Sequence, residues 1–265
     1  MNQQTLIDYT LHLADNNLIL AQRNSEWCGH GPVLEQDIAI TNISLDLIGQ
    51  ARNFYQYAAQ LINESHASLS TKWSGVEGEV TEDTLAYLRS ETDFKNFLLV
   101  EQPKGDWGQT ILRQFFFSLY QYLLYQALQN SRDTQLSAIA TKSIKEVTYH
   151  LRWSSEWVIR LGDGTEESHN RMLQAIDALW VYTGEIFQVS DFEAETFKNN
   201  IGVDVSGLKD EWVKKVKDVF DEATLPFPVS SFFHYGGKEG KHTGHLGHIL
   251  AEMQYLQRTY PGVTW

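Results

Sequence analysis

Proline occurs only at positions 32, 103, 226, 228 and 261 of this chain. Proline removes a backbone donor and clashes with the preceding helical turn, so its scarcity leaves intervals long enough for helices of many turns. The first interval predicts a helix from about Gln4 to Trp27, stopped by Cys28-Gly29-His30-Gly31-Pro32. The second runs from about Val33 to Ile62. Within it Leu34, Ile38, Leu45, Ile48, Tyr55 and Ala58 form one apolar stripe, and Ile40, Ile43, Leu47, Phe54, Tyr57 and Leu61 form another. Two stripes predict neighbours on two sides, as at the centre of a bundle.

Residues Ser65 to Gly105 are weaker in pattern and read as a long surface connection containing a short helix, Thr81 to Leu88. Two further long helices are expected from Asp106 to about Gln129 and from Asp133 to about Leu161, antiparallel because the turn between them is short. Thr165 is placed to cap a fifth helix reaching about Phe187, with Glu166 and Glu167 in its first turn. Ser190-Asp191-Phe192-Glu193 has capping-box spacing and predicts a short helix over 191–199. Helices from Leu208 to Ala223 and from His242 to Thr259 complete the chain. No alternating strand pattern competes, and the expectation is an all-α bundle in one domain spanning 1–265.

The net charge of −13 argues against sequence-independent binding to nucleic acid or anionic lipid, which need lysine and arginine opposite phosphates. Cys28 is the only cysteine, which excludes an internal disulfide framework and fits a reducing compartment. The amino-terminal residues lack a secretory pattern, and the apolar stretch Ile111 to Leu128 is interrupted by Arg113, Gln114, Gln121 and Gln126. A soluble, cytoplasmic protein with no membrane partner is the expectation.

Four long helices with one extended connection are a setting in which carboxylate-bridged iron pairs are built, from lone glutamates on two helices and Glu-x-x-His pairs on the others. Two cationic irons need several inward anionic oxygens, and i, i+3 spacing puts Glu and His on one face. No intact pair is present on the long helices. The second helix offers Leu47 and Gln50, and the fourth offers Val147 and His150. Glu146, four residues before His150, leaves open a distorted ligand pair and thus a di-iron oxidoreductase with a degenerate site of its own. The first and third helices supply amides, Asn16, Asn17, Gln22, Gln114 and Gln121, where carboxylates would be wanted.

With those residues in view, the chain resembles the C-subunit family of the phenylacetyl-CoA 1,2-epoxidase, also called ring-1,2-phenylacetyl-CoA oxygenase. The resemblance is carried by Glu26-Trp27-Cys28-Gly29-His30, Leu45 to Asn53, Leu98 to Pro103, Lys145-Glu146 with Tyr149-His150-Leu151-Arg152, and Gly236-Gly237-Lys238 leading through His242 to Ala251 to Arg258. It implies a ferritin-like helical bundle with additional C-terminal helices, acting as a structural, non-catalytic subunit of a multicomponent monooxygenase in aerobic phenylacetate degradation. It further implies a homologous catalytic subunit that holds the di-iron cofactor, a reductase component, and no cofactor in this chain. The pattern departs at Gly244, where the resemblance leads one to expect an acidic residue.

Contact surfaces are also expected. The glycine-rich segment Gly236 to His242 precedes a helix, and Lys238 and Lys241 are candidates to touch the phosphates of coenzyme A in phenylacetyl-CoA held at the subunit interface. An ordinary solvated loop is the plainer alternative. His242, His245 and His248 recur every three residues, and a partner contact or capping role is expected of them ahead of metal ligation. Trp153, Trp157, Trp180 and Trp212 are expected to be packing anchors, some of them at the partner interface. A generic helical binding or iron-storage protein remains a third class, distinguished by the lack of an oxygenase partner.

Overall fold

A computed structural model describes residues 1–65, 79–261 and 263. Its four long helices are α1 (Gln3–Ser25), α2 (Leu34–Glu64), α5 (Trp107–Leu128) and α6 (Thr134–Gly162), with the short α3 (Glu82–Tyr87) and α4 (Leu98–Glu101) in the connection between the two pairs. After them come α7 (Glu166–Leu179), α8 (Asp191–Lys198), α9 (Lys209–Glu222), α10 (Gly244–Met253) and α11 (Tyr255–Thr259). No strand occurs among the described residues. This is the all-α bundle that the periodicity predicts, in the ferritin-like form with additional C-terminal helices that the family resemblance implies. Among the described residues no helix is long and apolar enough to cross a membrane. The stretch 66–78 of the expected surface connection lies outside the described residues.

Helix starts follow from short polar side chains that accept from otherwise unpaired amides. Asn2 Oδ1 accepts from Gln4 N at the start of α1, Asp106 Oδ1 from Gln109 N at α5, and Asp133 Oδ1 from Gln135 N and Leu136 N at α6. Thr165 and Ser190 form the capping boxes of α7 and α8, the latter with Glu193 reaching back to Ser190 N at 2.8 Å. Glu193 therefore has its backbone at the start of α8 and its carboxylate held there by Ser190.

Helix α1 packs mainly on α2, and α5 mainly on α6. Helix α5 is buried nearly all round, its Phe115, Phe116 and Phe117 lying in the middle of the core. Phe116 meets Trp180, Trp212 and Phe220 at ring-centre distances of 5.8, 5.4 and 6.1 Å, and Trp212 Nε1 donates to Phe116 O at 3.1 Å. Trp153 and Trp157 sit edge-on to Trp107. All four tryptophans singled out in the sequence are thus anchors between helices, each with a specific ring partner.

Three expectations are corrected. The fifth helix stops at Leu179 and continues to Phe187 only as two 3₁₀ turns, because Thr183 Oγ1 donates back to Trp180 O and Gly184 lies hard against the Phe233 ring. The last helix is broken at Gln254, whose side-chain amide turns inward to donate to Ala86 O and Arg89 O. And the first of the two apolar stripes of α2 is covered only at its C-terminal end, where Tyr55 and Ala58 are buried. Ile40, Ile43, Leu47 and Phe54 are fully buried, whereas Leu34, Ile38, Leu45 and Ile48 face solvent.

Candidate functional site

The positions where paired metal ligands would project are at the centre of the four long helices. Leu47, Gln50, Val147 and His150 all point inward and are at most 1% exposed. Leu47 and Val147 bring no donor atom. Gln50 Nε2 donates to Glu146 Oε2 at 2.9 Å, and Gln50 Oε1 accepts from Gln121 Nε2 at 3.0 Å and from the Tyr125 hydroxyl at 3.3 Å. Gln121 Nε2 also donates to Asn17 Oδ1 at 2.7 Å. Asn17 of α1, Gln50 of α2, and Gln121 and Tyr125 of α5 therefore form a neutral amide-and-phenol web, with the Glu146 carboxylate of α6 at its edge. Burial holds the Tyr125 phenol protonated, its pKa well above the ordinary tyrosine range, so it serves as a donor.

These donors do not fit an iron pair. His150 Nε2 turns away to Asp46 Oδ2 at 2.9 Å while Glu146 faces Gln50, so the two candidate ligands diverge. Among the described residues no three His, Cys, Asp or Glu side chains converge as a metal site. Amide oxygens are weak substitutes for the anionic bridges that two irons require.

A second polar layer, unforeseen from the sequence, consists of buried carboxylates that tie the long connection and the C-terminal segment to α1. Asp15, fully buried, accepts from Arg89, from the Tyr55 hydroxyl at 2.5 Å and from Lys95 N at 2.8 Å. Arg89 in turn lies over the Phe94 ring at 4.1 Å. Glu101 accepts from His242 Nδ1 at 2.8 Å and from Thr243 N at 2.7 Å, while His242 Nε2 faces Phe94 O at 2.9 Å. Both ring nitrogens of His242 face oxygen acceptors, so the imidazolium is the form that satisfies them, and its pKa is raised accordingly against the opposing effect of burial. Glu193 receives Lys238 Nζ at 2.8 Å, with His12 Nε2 3.8 Å from its other oxygen. His12 Nδ1 donates to Lys95 O at 2.6 Å, and burial depresses its pKa to about 4, keeping it neutral.

This layer corrects the reading of the glycine-rich segment. Lys238 is 5% exposed and its ammonium points inward to Glu193 and to Gln188 O at 2.7 Å. The Gly236 and Gly237 amides donate to Glu185 Oε1 at 2.8 and 2.6 Å, so they too serve a buried carboxylate instead of an outside phosphate. A side chain on Gly237 would sit 2.2 Å from Asn96 O, which explains glycine there by close backbone approach. Only Lys241 stays exposed, paired with Glu239 at 2.7 Å. Of the two lysines singled out for coenzyme A, one is a buried ion-pair partner and the other a solvated one. The three spaced histidines likewise separate: His242 is interior to the layer, and His248 is exposed. Cys28 is free and exposed.

The family described as "Phenylacetic acid catabolic protein" matches residues 1–265. The chain belongs to that phenylacetic acid catabolic family. It is 48% identical over 265 residues, all of both chains, to the C subunit of the 1,2-phenylacetyl-CoA epoxidase of Escherichia coli (strain K12). For this member of the phenylacetic acid catabolic family, the match runs through the C-terminal segment as well as the four long helices, so it covers both polar layers.

A sequence signal for the second layer existed. Asp15 interrupts an otherwise apolar or amide-bearing face of α1, and Glu101 closes the apolar run Leu98 to Val100. An acid in such a setting must find a cation or several donors. The partners lie far along the chain, at Arg89 and His242, and spacing carries no record of them.

Proposed function

We propose that this chain is a structural, non-catalytic subunit of a phenylacetyl-CoA epoxidase in phenylacetate catabolism, and that it supports a homologous subunit in which the di-iron centre resides. One observation carries the reading: at the bundle centre two ligand positions are alkyl, Leu47 and Val147, and the amide web of Asn17, Gln50 and Gln121 stands where anionic donors would be needed. Such a web links α1, α2, α5 and α6 through side-chain hydrogen bonds inside the bundle. The full-length relationship to a chain named as the C subunit of the 1,2-phenylacetyl-CoA epoxidase supports the assignment to that pathway.

The test is to purify the chain alone and together with the di-iron subunit of the epoxidase from the same organism, then measure bound iron and epoxidation of phenylacetyl-CoA with the reductase supplied. The expected result is iron and turnover only when the second subunit is present. About two tightly held irons in the isolated chain, on the stoichiometry of a di-iron bundle site, would overturn the reading.

A further inference from the structure

The uncovered part of the first α2 stripe is not a scatter of surface apolar residues. Leu34, Ile38, Leu45 and Ile48 are 72%, 51%, 61% and 37% exposed, and with Thr41 and Arg52 between and after them they alternate at steps of four and three. That is the spacing of a seam that packs along another long helix at a shallow angle. Gly49 lies on the same face in the middle of α2, and a side chain there would meet nothing within 4 Å. Glycine is disfavoured in a helix interior, and no neighbour in this chain requires it, whereas a helix crossing closely at that point would. At its far end the seam opens into a groove of about 220 Å³ between α2 and α3, lined in part by Ile48, Arg52 and Tyr87.

The neighbouring outer row belongs to α6. Helices α2 and α6 are joined side by side through Asp46–His150 and Gln50–Glu146, and at about 100° per residue the exposed row lies about 140° round α2 and about 100° round α6 from the joining residues, on the same side of the joint. On α6 that row is Lys142, Lys145, Tyr149 and Arg152. Among the described residues none of its three cations has a carboxylate partner, though Arg152 lies 5.9 Å over the Tyr149 ring. A basic row beside an apolar seam is conspicuous on a chain of net charge −13.

From these observations we propose that the α2–α6 outer face is the docking surface for the partner subunit, and that the partner presents a long helix whose apolar seam is flanked by acidic side chains. A second copy of this chain fits poorly, because two-fold self-pairing through this face would bring Lys142, Lys145 and Arg152 of both copies into one interface. This placement rests on the subunit reading above. The apolar seam supplies the buried area, and the cations set register and speed the encounter.

The test uses full-length chains: the wild type, Leu45→Glu with Ile48→Glu, Lys142→Glu with Lys145→Glu, and Lys214→Glu with Lys217→Glu on the outer side of α9 as a matched control. Each is titrated with the purified di-iron subunit at low and high salt, and circular dichroism verifies folding, which substitutions at exposed sites should leave intact. Expected are a loss of affinity of about 100-fold or more for the seam variant, about 10-fold for the charge reversal with a flatter salt dependence, and little change for the control. Should the wild type bind while both face variants bind equally well, or should the control lose as much as they do, the placement is wrong and the subunit reading stands. Should the wild type fail to bind, the subunit reading falls and the placement with it. If the seam variant instead abolishes a self-association seen by sedimentation, the occupant is a second copy and the proposal is overturned.

Discussion

Gln50 Nε2 donates to Glu146 Oε2 at 2.9 Å across the joint between α2 and α6, so a neutral amide sits opposite a carboxylate at the bundle centre. Replacing Gln50 by Leu removes that donor and also the acceptor of Gln121, leaving buried polar atoms unpaired at a cost of about 1–3 kcal/mol. Gln50→Glu should behave differently. Two facing carboxylates cannot both ionise cheaply, so its destabilisation should be larger at pH 7 than at pH 5. Chemical denaturation at the two pH values measures this, and equal losses at both would contradict the account.

Asp15 and Arg89, both fully buried, form one of the charge pairs of the second layer. Asp15→Ala leaves a guanidinium buried without its counter-ion and should cost about 3–5 kcal/mol. Asp15→Leu combined with Arg89→Met removes both charges and should recover much of that loss, as a double-mutant cycle would report.

Lys238 is a structural cation. Lys238→Met should lower the thermal midpoint by several degrees through the stranded Glu193 carboxylate, which its ammonium and the Ser190 amide now hold below the usual carboxylate range against the effect of burial. Lys241→Met, at a solvated pair, should shift the midpoint by less than about 1 °C, consistent with the small worth of surface ion pairs. Differential scanning calorimetry of the two single variants separates the roles.

His12 gives the chain an acid sensitivity. Folded, it stays neutral down to about pH 4, while the unfolded chain takes up the proton near its ordinary value of 6.5. The stability it permits is therefore complete above pH 6.5 and is lost as pH falls from 6.5 towards 4, by roughly 3 kcal/mol in all. His242 titrates in the opposite sense, its raised pKa adding stability below 6.5 that disappears as pH rises through the folded value. A His12→Gln variant should show a flatter fall in unfolding free energy between pH 6.5 and 4, whatever its absolute stability.

The long helices and most of their starts were legible in the sequence because proline, apolar period and capping side chains all act within one turn of where they are written. That Leu47 and Val147 face the interior was legible too, since both belong to apolar runs at helical spacing. Which stripe of α2 the chain itself covers was not, because periodicity reports that Leu45 and Leu47 are both apolar without saying whose surface meets them. The inward turn of Lys238 was hidden for a related reason: its partner Glu193 lies in another helix, and the glycines that suggested an open loop are there to let Gly237 press against Asn96. The breaks at Gly184 and Gln254 follow from contacts with Phe233, Ala86 and Arg89, which no local pattern encodes.

The stapling of Gly236, Gly237, Lys238 and His242 onto Glu185, Glu193 and Glu101 has a consequence for how the chain is made. Those acids are synthesised before the donors at 236–242, so the emerging polypeptide carries several interior carboxylates short of these partners until that segment is released. Helix pairs can assemble early from local contacts, but these three carboxylates gain their remaining partners only from residues 236–242. A product cut short before position 236 keeps every long helix and still lacks the groups that let its interior close.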